Sequence, residues 1–168
     1  MANKILLAYA TKYGSTKEVA EAVAKTLENK GLDVDMQQAS QVRSVKEYNS
    51  VILGAPLYMY RWHKHAVQFL KRHEKMLKTM PVVVFATGPS FKGDEKEWLE
   101  TREQFSKELA NFPWFKPIEV EVLGGKFDPA NLGFPMKHFL KDLPAADLRD
   151  WDAIAAWAAE LAGKLQAK

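Results

Sequence analysis

Short apolar runs alternate with helical patterns along almost the whole chain, and this alternation constrains the fold more than any other feature. A strand–helix–strand repeat needs crossover connections, which make the strands parallel and place helices against both faces of the sheet. The sequence therefore predicts an α/β fold built on a buried parallel sheet. The predicted strands cover 4–10, 32–39, 50–55, 81–88 and 117–125, and the predicted helices cover 15–30, 64–79, 94–111 and 151–165.

Length and composition exclude several classes of protein. The 168 residues suit one domain over 1–168, and no apolar run approaches the 18 residues of a membrane-spanning helix. The chain has no cysteine, which excludes disulfides and thiol catalysis, and its start lacks the pattern of a signal peptide, so we expect a cytoplasmic protein. The net charge of +3 comes from scattered lysines, so no nucleic-acid partner is predicted.

The first predicted strand ends in a loop that carries four hydroxyl groups around one glycine: Thr11, Tyr13, Gly14, Ser15 and Thr16. Ligands of open parallel sheets bind beyond the carboxyl ends of the strands. The same loop opens a helix, whose free N–H groups and dipole attract anions. One interpretation is therefore a phosphate site. The other is a capping box formed by Ser15 and Glu18, which would only start the helix.

Three further loops follow predicted strands and carry aromatic or glycine-rich sequences at 54–63, 87–93 and 124–129. The loops after the first, third and fourth strands are expected at one edge of the sheet. A hydroxyl-lined loop beside two aromatic loops favours a flat aromatic ligand that ends in a phosphate. The chain has neither a P-loop nor a G-x-G-x-x-G motif, which argues against the commonest nucleotide sites.

Residues 11–16, T-K-Y-G-S-T, resemble the phosphate signature of the flavodoxin family, and the element order resembles that family over nearly the whole chain. The resemblance implies a flavodoxin-like three-layer sandwich, with a five-stranded parallel sheet in the order 2-1-3-4-5, and one noncovalently bound FMN. It assigns the FMN phosphate to Thr11, Lys12, Tyr13, Gly14, Ser15 and Thr16. It assigns the isoalloxazine ring to Pro56, Leu57, Tyr58, Met59, Tyr60, Thr87, Gly88, Pro89 and Phe91.

A narrower resemblance links the chain to menaquinone-dependent protoporphyrinogen oxidases. The run Y-N-S-V-I-L-G-A-P-L-Y at 48–58, a basic continuation and F-L-K-R-H at 69–73 are similar to that family. The family carries an extra segment before its last helix, and this chain has a shorter one at about 126–149. The resemblance implies an FMN-dependent oxidoreductase that moves electrons from a reduced substrate, such as a porphyrinogen, to a quinone.

The basic continuation supplies candidate substrate-steering groups at Arg61, His63 and Lys64. Cations here would attract acidic substrates and raise the reduction potential of a nearby flavin. The alternative interpretation is a solvated first turn of a helix. Trp62, with Tyr58 and Tyr60, is predicted to form an apolar wall. No metal site is predicted, because His63 and His65 are two positions apart and do not share a helix face.

Two other functions stay open from the sequence. One is a flavodoxin-type electron carrier that serves a redox partner protein, although the composition lacks the acidic character of ordinary flavodoxins. The other is a flavin-free binding module, against which the intact hydroxyl loop argues.

The segment at about 126–149 contains a helical stripe of Met136, Phe139, Leu140 and Leu143. We expect this stripe to pack on its own domain. The alternative is contact with a partner or a peripheral contact with the inner face of a membrane.

Overall fold

The computed structural model of this protein describes residues 3–166, which form a central parallel sheet with helices on both faces. The strands are β1 (Lys4–Tyr9), β2 (Asp33–Gln38), β3 (Ser50–Tyr58), β4 (Arg61–Trp62), β5 (Val82–Thr87), β6 (Glu119–Leu123), β7 (Lys126–Phe127) and β8 (Ala146–Asp147). The helices are α1 (Ser15–Asn29), α2 (Lys64–Arg72), α3 (Glu74–Leu77), α4 (Glu95–Ala110), α5 (Met136–Leu140) and α6 (Trp151–Gln166).

The five long strands pair in the order β2-β1-β3-β5-β6, and all of these pairs are parallel. The predicted order 2-1-3-4-5 is thereby confirmed, since β5 and β6 are the fourth and fifth of the predicted strands. The sequence did not predict β4, which folds back antiparallel on the end of β3. It also did not predict the small antiparallel ribbon of β7 and β8.

The hydrophobic core has two layers, one on each face of the sheet. Leu6 and Leu53 face the layer that holds Phe69 of α2 and Phe105 of α4. Alternate strand residues such as Leu7 face the opposite layer, which α1 and α6 cover. Successive side chains of a strand point to opposite faces, so strands covered on both sides read as continuous apolar runs. The predicted three-layer sandwich is confirmed.

The predicted helix at 64–79 is broken at His73, where α2 ends and α3 begins. The His73 backbone has φ −107°, and its buried ring packs against the ring of Phe69 with 4.6 Å between centroids. Between β2 and β3 the chain makes one short 3₁₀ helix at Ala39–Gln41. Val45 and Tyr48, which follow it, are both buried, and the Tyr48 hydroxyl donates to Asp35. Helix propensity alone did not place the break at His73, because tertiary packing decides it.

The expectation that the stripe at 136–143 packs on its own domain is wrong for its outer members. Phe139 is 72% exposed and Leu143 is 42% exposed. Phe139 lies within α5 on its exposed side, and Leu143 lies beyond Leu140, the last residue of this short helix. Met136 and Leu140 are the half-buried members.

The close approach of β3 to the ring of Phe85 makes a testable prediction for Gly54. A Cβ on Gly54 would lie 2.0 Å from Cζ of Phe85, and that ring is fully buried against Trp157. Gly54→Ala should lower the free energy of unfolding by about 2–3 kcal/mol, through overpacking in a filled core. Thermal and urea unfolding measure this change.

Gly163→Ala is the matched control, since Gly163 lies in α6 with open space around it. It should raise stability by about 0.5–1 kcal/mol, because alanine is the better helix former. Equal stability of Gly54→Ala and the wild-type protein would contradict the packing described here.

Candidate functional site

A cavity of about 310 Å³ lies at the carboxyl edge of the sheet, where the loops after β1, β3, β5 and β6 meet. Its volume is within the range of small-molecule sites, at the lower end. The cavity wall includes every residue assigned to the ring and three of those assigned to the phosphate. These residues are Lys12, Tyr13, Ser15, Pro56, Leu57, Tyr58, Met59, Tyr60, Thr87, Gly88, Pro89 and Phe91.

The other three residues assigned to the phosphate are Thr11, Gly14 and Thr16. They do not line the cavity, but they fix the conformation of the loop. Thr11 accepts the N–H of Gly14 at its hydroxyl oxygen, with 2.8 Å between the atoms, and so closes the turn. Thr16 is fully buried, and its hydroxyl lies 2.8 Å from that of Thr87. This pair of hydroxyls joins the loop after β1 to the end of β5.

The amino end of α1 is left without a side-chain cap. Gly14 occupies the cap position with φ +92°, a conformation that suits glycine, and among residues 3–166 no side chain caps the first turn of the helix. The capping box of Ser15 and Glu18 is therefore not formed, and that interpretation is wrong. The first N–H groups of a helix have no partner inside the helix, so this end can hold an anion.

A β-hairpin with a two-residue turn forms one wall of the cavity. Leu57 pairs with Trp62 and Tyr58 with Arg61, which leaves Met59 and Tyr60 as the turn. Both turn residues have positive φ, 52° and 65°, as a type I′ turn requires. Bulky residues in this region cost about 1 kcal/mol or more each. Both side chains are exposed, at 63% and 76%, so the turn presents apolar groups at the cavity mouth.

A second part of the cavity wall, the loop after β5, depends on Glu97, which the sequence did not predict. Its carboxylate accepts the N–H groups of Phe91, Lys92 and Gly93, at 3.3, 3.2 and 3.1 Å. Asp94 accepts the N–H of Glu97 at 2.8 Å, so D-x-x-E at 94–97 caps α4. That pattern is the sequence signal that could have identified Glu97. The loop carries Phe91, whose ring lies 4.7 Å from that of Phe127.

Other wall residues come from α4 and from the segment after β6, and the sequence analysis did not identify them. Leu132 and Leu140 show that the extra segment forms part of the wall. Gly125 joins this segment to the loop after β5. Its N–H donates to the Pro89 carbonyl, and its own carbonyl accepts the N–H of Leu148, both at 2.9 Å. The remaining additions are Ser90, Glu100, Thr101, Gln104, Lys126, Phe127 and Asp128.

The basic continuation lies outside this cavity. Arg61 and Lys64 line a separate groove of about 460 Å³, together with Lys71 and Glu108. The hairpin explains the displacement, because it turns the chain back along β3 before the basic residues begin.

The prediction of Trp62 as an apolar wall is wrong. Its side chain is buried against Phe105, with 5.0 Å between ring centroids. Its indole N–H donates to the Ala55 carbonyl oxygen at 3.0 Å. The end of β4 thus directs this ring into the core.

His63 caps α2, because its Nδ1 accepts the N–H of His65 at 3.1 Å. Burial, followed by the nearby charges of His65 and Lys64, lowers the pKa of His63 below its usual value. This lowered pKa and the hydrogen bond that Nδ1 accepts both favour the uncharged ring, which leaves Arg61 and Lys64 as the basic groups among the predicted steering residues. Within residues 3–166, no group of three or more histidine, aspartate or glutamate side chains is placed to hold a metal ion.

A family model described as "Flavodoxin domain" matches residues 6–147. Among curated relatives, the protoporphyrinogen IX dehydrogenase [quinone] of Escherichia coli strain K12 is 26% identical over 124 residues. The alignment covers 73% of this chain and 68% of that protein.

Solved structures share the fold. Oxidised flavodoxin 1 from Bacillus cereus superposes with a TM-score of 0.60 at 12% identity, covering 97% of each chain. The rubredoxin oxygen:oxidoreductase of Desulfovibrio gigas superposes with a TM-score of 0.60 at 14% identity over 99% of this chain. This chain spans 37% of that protein's length. The flavodoxin family predicted from residues 11–16 is confirmed. The narrower resemblance at 48–58 agrees with the 26% identity to the Escherichia coli dehydrogenase.

The contacts of Glu97 predict that its removal loosens the loop at 91–93. Glu97→Ala leaves three backbone N–H groups without their acceptor, so their amide hydrogen exchange should accelerate by at least about tenfold. Exchange measured by NMR reads each amide separately. Glu95→Ala is the control, since Glu95 is exposed on the same turn of α4. Unchanged exchange at 91–93 in Glu97→Ala would contradict this assignment.

Proposed function

Because this chain belongs to the flavodoxin domain family, whose cofactor is FMN, we propose that it is an FMN-dependent oxidoreductase that passes electrons to a quinone. The uncapped amino end of α1 at the cavity wall is the observation that carries the proposal. FMN supplies reversible one- and two-electron redox chemistry when it is bound. The residues of the chain bind it, orient it and control access to it.

The loop at 11–16 fits the phosphate of FMN. Gly14 brings no side chain into the turn, and the helix end beyond it offers unpaired N–H groups to an anion. Ser15 adds a hydroxyl to the cavity wall, and Lys12 adds a positive charge. The Lys12 ammonium also lies 3.9 Å from the centre of the Tyr58 ring, which ties the phosphate loop to the hairpin.

The loops at 56–60 and 87–91 fit the ring of FMN. Tyr58 and Tyr60 lie on one side of the cavity and Phe91 on another, so a flat ring meets aromatic surfaces that exclude water. Thr87, Gly88 and Pro89 are buried at the floor, where backbone groups can approach the ring edge. The Thr16–Thr87 hydroxyl pair holds this floor in register with the phosphate loop.

Two observations support a quinone as acceptor. The curated relative carries a quinone in its name. The cavity mouth also presents Met59, Tyr60 and Phe91 as exposed apolar groups, which suit a flat apolar partner.

The donor is proposed to be a reduced acidic compound of the porphyrinogen class. Arg61 and Lys64 lie in the groove beyond the hairpin, where they can attract carboxylates of a donor that extends past the cavity. The cavity wall carries more acidic than basic side chains, with Glu97, Glu100 and Asp128 against Lys12 and Lys126. The groove is mainly basic, with Arg61, Lys64 and Lys71 against Glu108. Steering is therefore assigned to the groove.

None of the helices within residues 3–166 combines the length and apolar character needed to cross a bilayer. If the protein contacts a membrane surface, we propose that it does so with the exposed apolar groups at the cavity mouth, Met59, Tyr60 and Phe91.

The phosphate assignment predicts opposite effects of Ser15→Asp on stability and on binding. A carboxylate at the first position of α1 should stabilise the FMN-free protein by about 0.5 kcal/mol. The same charge should weaken FMN binding by about 100-fold or more, because it repels the phosphate. Thermal unfolding and flavin fluorescence titration measure the two effects. Ser15→Asn, which adds no charge, should bind FMN much more tightly than Ser15→Asp does; equal affinities would refute the phosphate site.

Turnover separates the proposed enzyme from the electron carrier. FMN-loaded protein should oxidise protoporphyrinogen with a menaquinone analogue as acceptor in stopped-flow assays. Arg61→Glu with Lys64→Glu should lower kcat/KM for this donor by about tenfold, with less effect at high salt. Lys75→Glu, on exposed α3 surface, is the charge control. Reduction only by a reductase protein, without quinone turnover, would instead favour the carrier.

A further inference from the structure

The guanidinium of Arg149 is buried beside the phosphate loop, although Arg149 lies 134 positions beyond Ser15 in sequence. Its side chain is 4% exposed. Nε and Nη2 donate to the two carboxylate oxygens of Asp147, each at 2.8 Å, and Nη1 donates to the Ser15 carbonyl at 3.3 Å. The ring of Trp151 lies 4.8 Å from the guanidinium carbon and covers it.

The same Nη1 group also holds the carboxylate of Glu18. The distance from Nη1 to Oε1 is 3.4 Å, and the Glu18 side chain is itself 57% exposed. Glu18 lies in the first turn of α1, where a free carboxylate is attracted to the unpaired N–H groups of the helix end. A phosphate bound by the same N–H groups would be repelled by an unheld Glu18 carboxylate.

The extra segment at about 126–149 places Arg149 at this point. Lys126 of β7 pairs with Asp147 of β8, and the N–H of Leu148 donates to Gly125 at 2.9 Å. Asp147 then aligns the guanidinium through two parallel hydrogen bonds, and one edge of the planar group is left for α1. The compact ammonium of a lysine could not satisfy both sides in this way.

We propose that Arg149 is a positioning residue for FMN binding, which holds the Glu18 carboxylate, offsets part of its charge and thereby leaves the amino end of α1 to the phosphate. This inference rests on the proposed phosphate site at 11–16. It gives the extra segment a role in cofactor binding, in addition to its contribution to the cavity wall.

A double-mutant cycle on FMN-free protein tests the inference. Wild type, Arg149→Gln, Glu18→Gln and the double variant are titrated with FMN and with riboflavin, which lacks the phosphate, at low salt. Arg149→Gln should weaken FMN binding by about tenfold and riboflavin binding by no more than about twofold, because a carboxylate acts on the phosphate alone. The double variant should recover FMN affinity to within about twofold of wild type, since it has no Glu18 charge to neutralise.

Arg43→Gln is the matched control, because Arg43 is exposed in the loop before β3. It should leave both affinities unchanged. If thermal unfolding shows that Arg149→Gln does not fold, the Glu18→Gln variant alone tests the inference. It should bind FMN at least as tightly as wild type. Weaker binding would overturn the inference.

Three results would contradict the role assigned to Arg149. These are an equal loss of FMN and riboflavin affinity in Arg149→Gln, an unchanged FMN affinity in that variant, and a double variant that stays as weak as Arg149→Gln. A different result identifies failure of the phosphate site itself, namely wild-type protein that binds riboflavin as tightly as FMN.

Discussion

The parallel pairing of β1, β3 and β5 is the constraint on which the site depends. Tyr9 pairs with Gly54, and Gly54 pairs with Phe85, so the three strands are level near their carboxyl ends. The backbone of Ala10 continues this pairing through a 2.9 Å hydrogen bond to the Gly54 carbonyl. Because the strands run in one direction, and β1 and β5 end beside Gly54 and Pro56 of β3, the hydroxyl loop, the hairpin and the Phe91 loop meet at one edge of the sheet.

The loops after β1 and β5 are held by polar contacts that come from outside them. Glu97 binds the amides of the Phe91 loop, the Thr16–Thr87 pair joins α1 to the end of β5, and Arg149 binds the first turn of α1. The hairpin is different, since two bulky residues occupy positive φ there. Such a conformation persists only where the surrounding structure imposes it, and here the β3–β4 pairing does so. The edge is thus prearranged for a ligand by groups that need not touch it.

Much of the site followed from local sequence. The hydroxyls around Gly14 and the aromatic residues after the third and fourth strands were recognisable because each set follows a predicted strand and the ends of parallel strands share an edge. Trp62 was wrongly predicted to form part of an apolar wall because β4 was not predicted. The pairing of this two-residue strand with β3 places the indole in the core. His63 was taken for a cation because its cap contact and its burial are not visible in sequence.

The order of residues by itself determined the alternation of strands and helices, the three layers and the hydroxyl loop. These features depend on periodicity and turn chemistry over short stretches of chain. Only the tertiary structure decided whether Ser15 and Glu18 cap α1 or leave its end open, because the partner of Glu18 is Arg149, from the far end of the chain. It also decided that the basic residues after the hairpin face a second groove. The capping of α1 and the position of the basic residues depend on contacts between distant parts of the chain, which cannot be predicted from a short stretch of sequence.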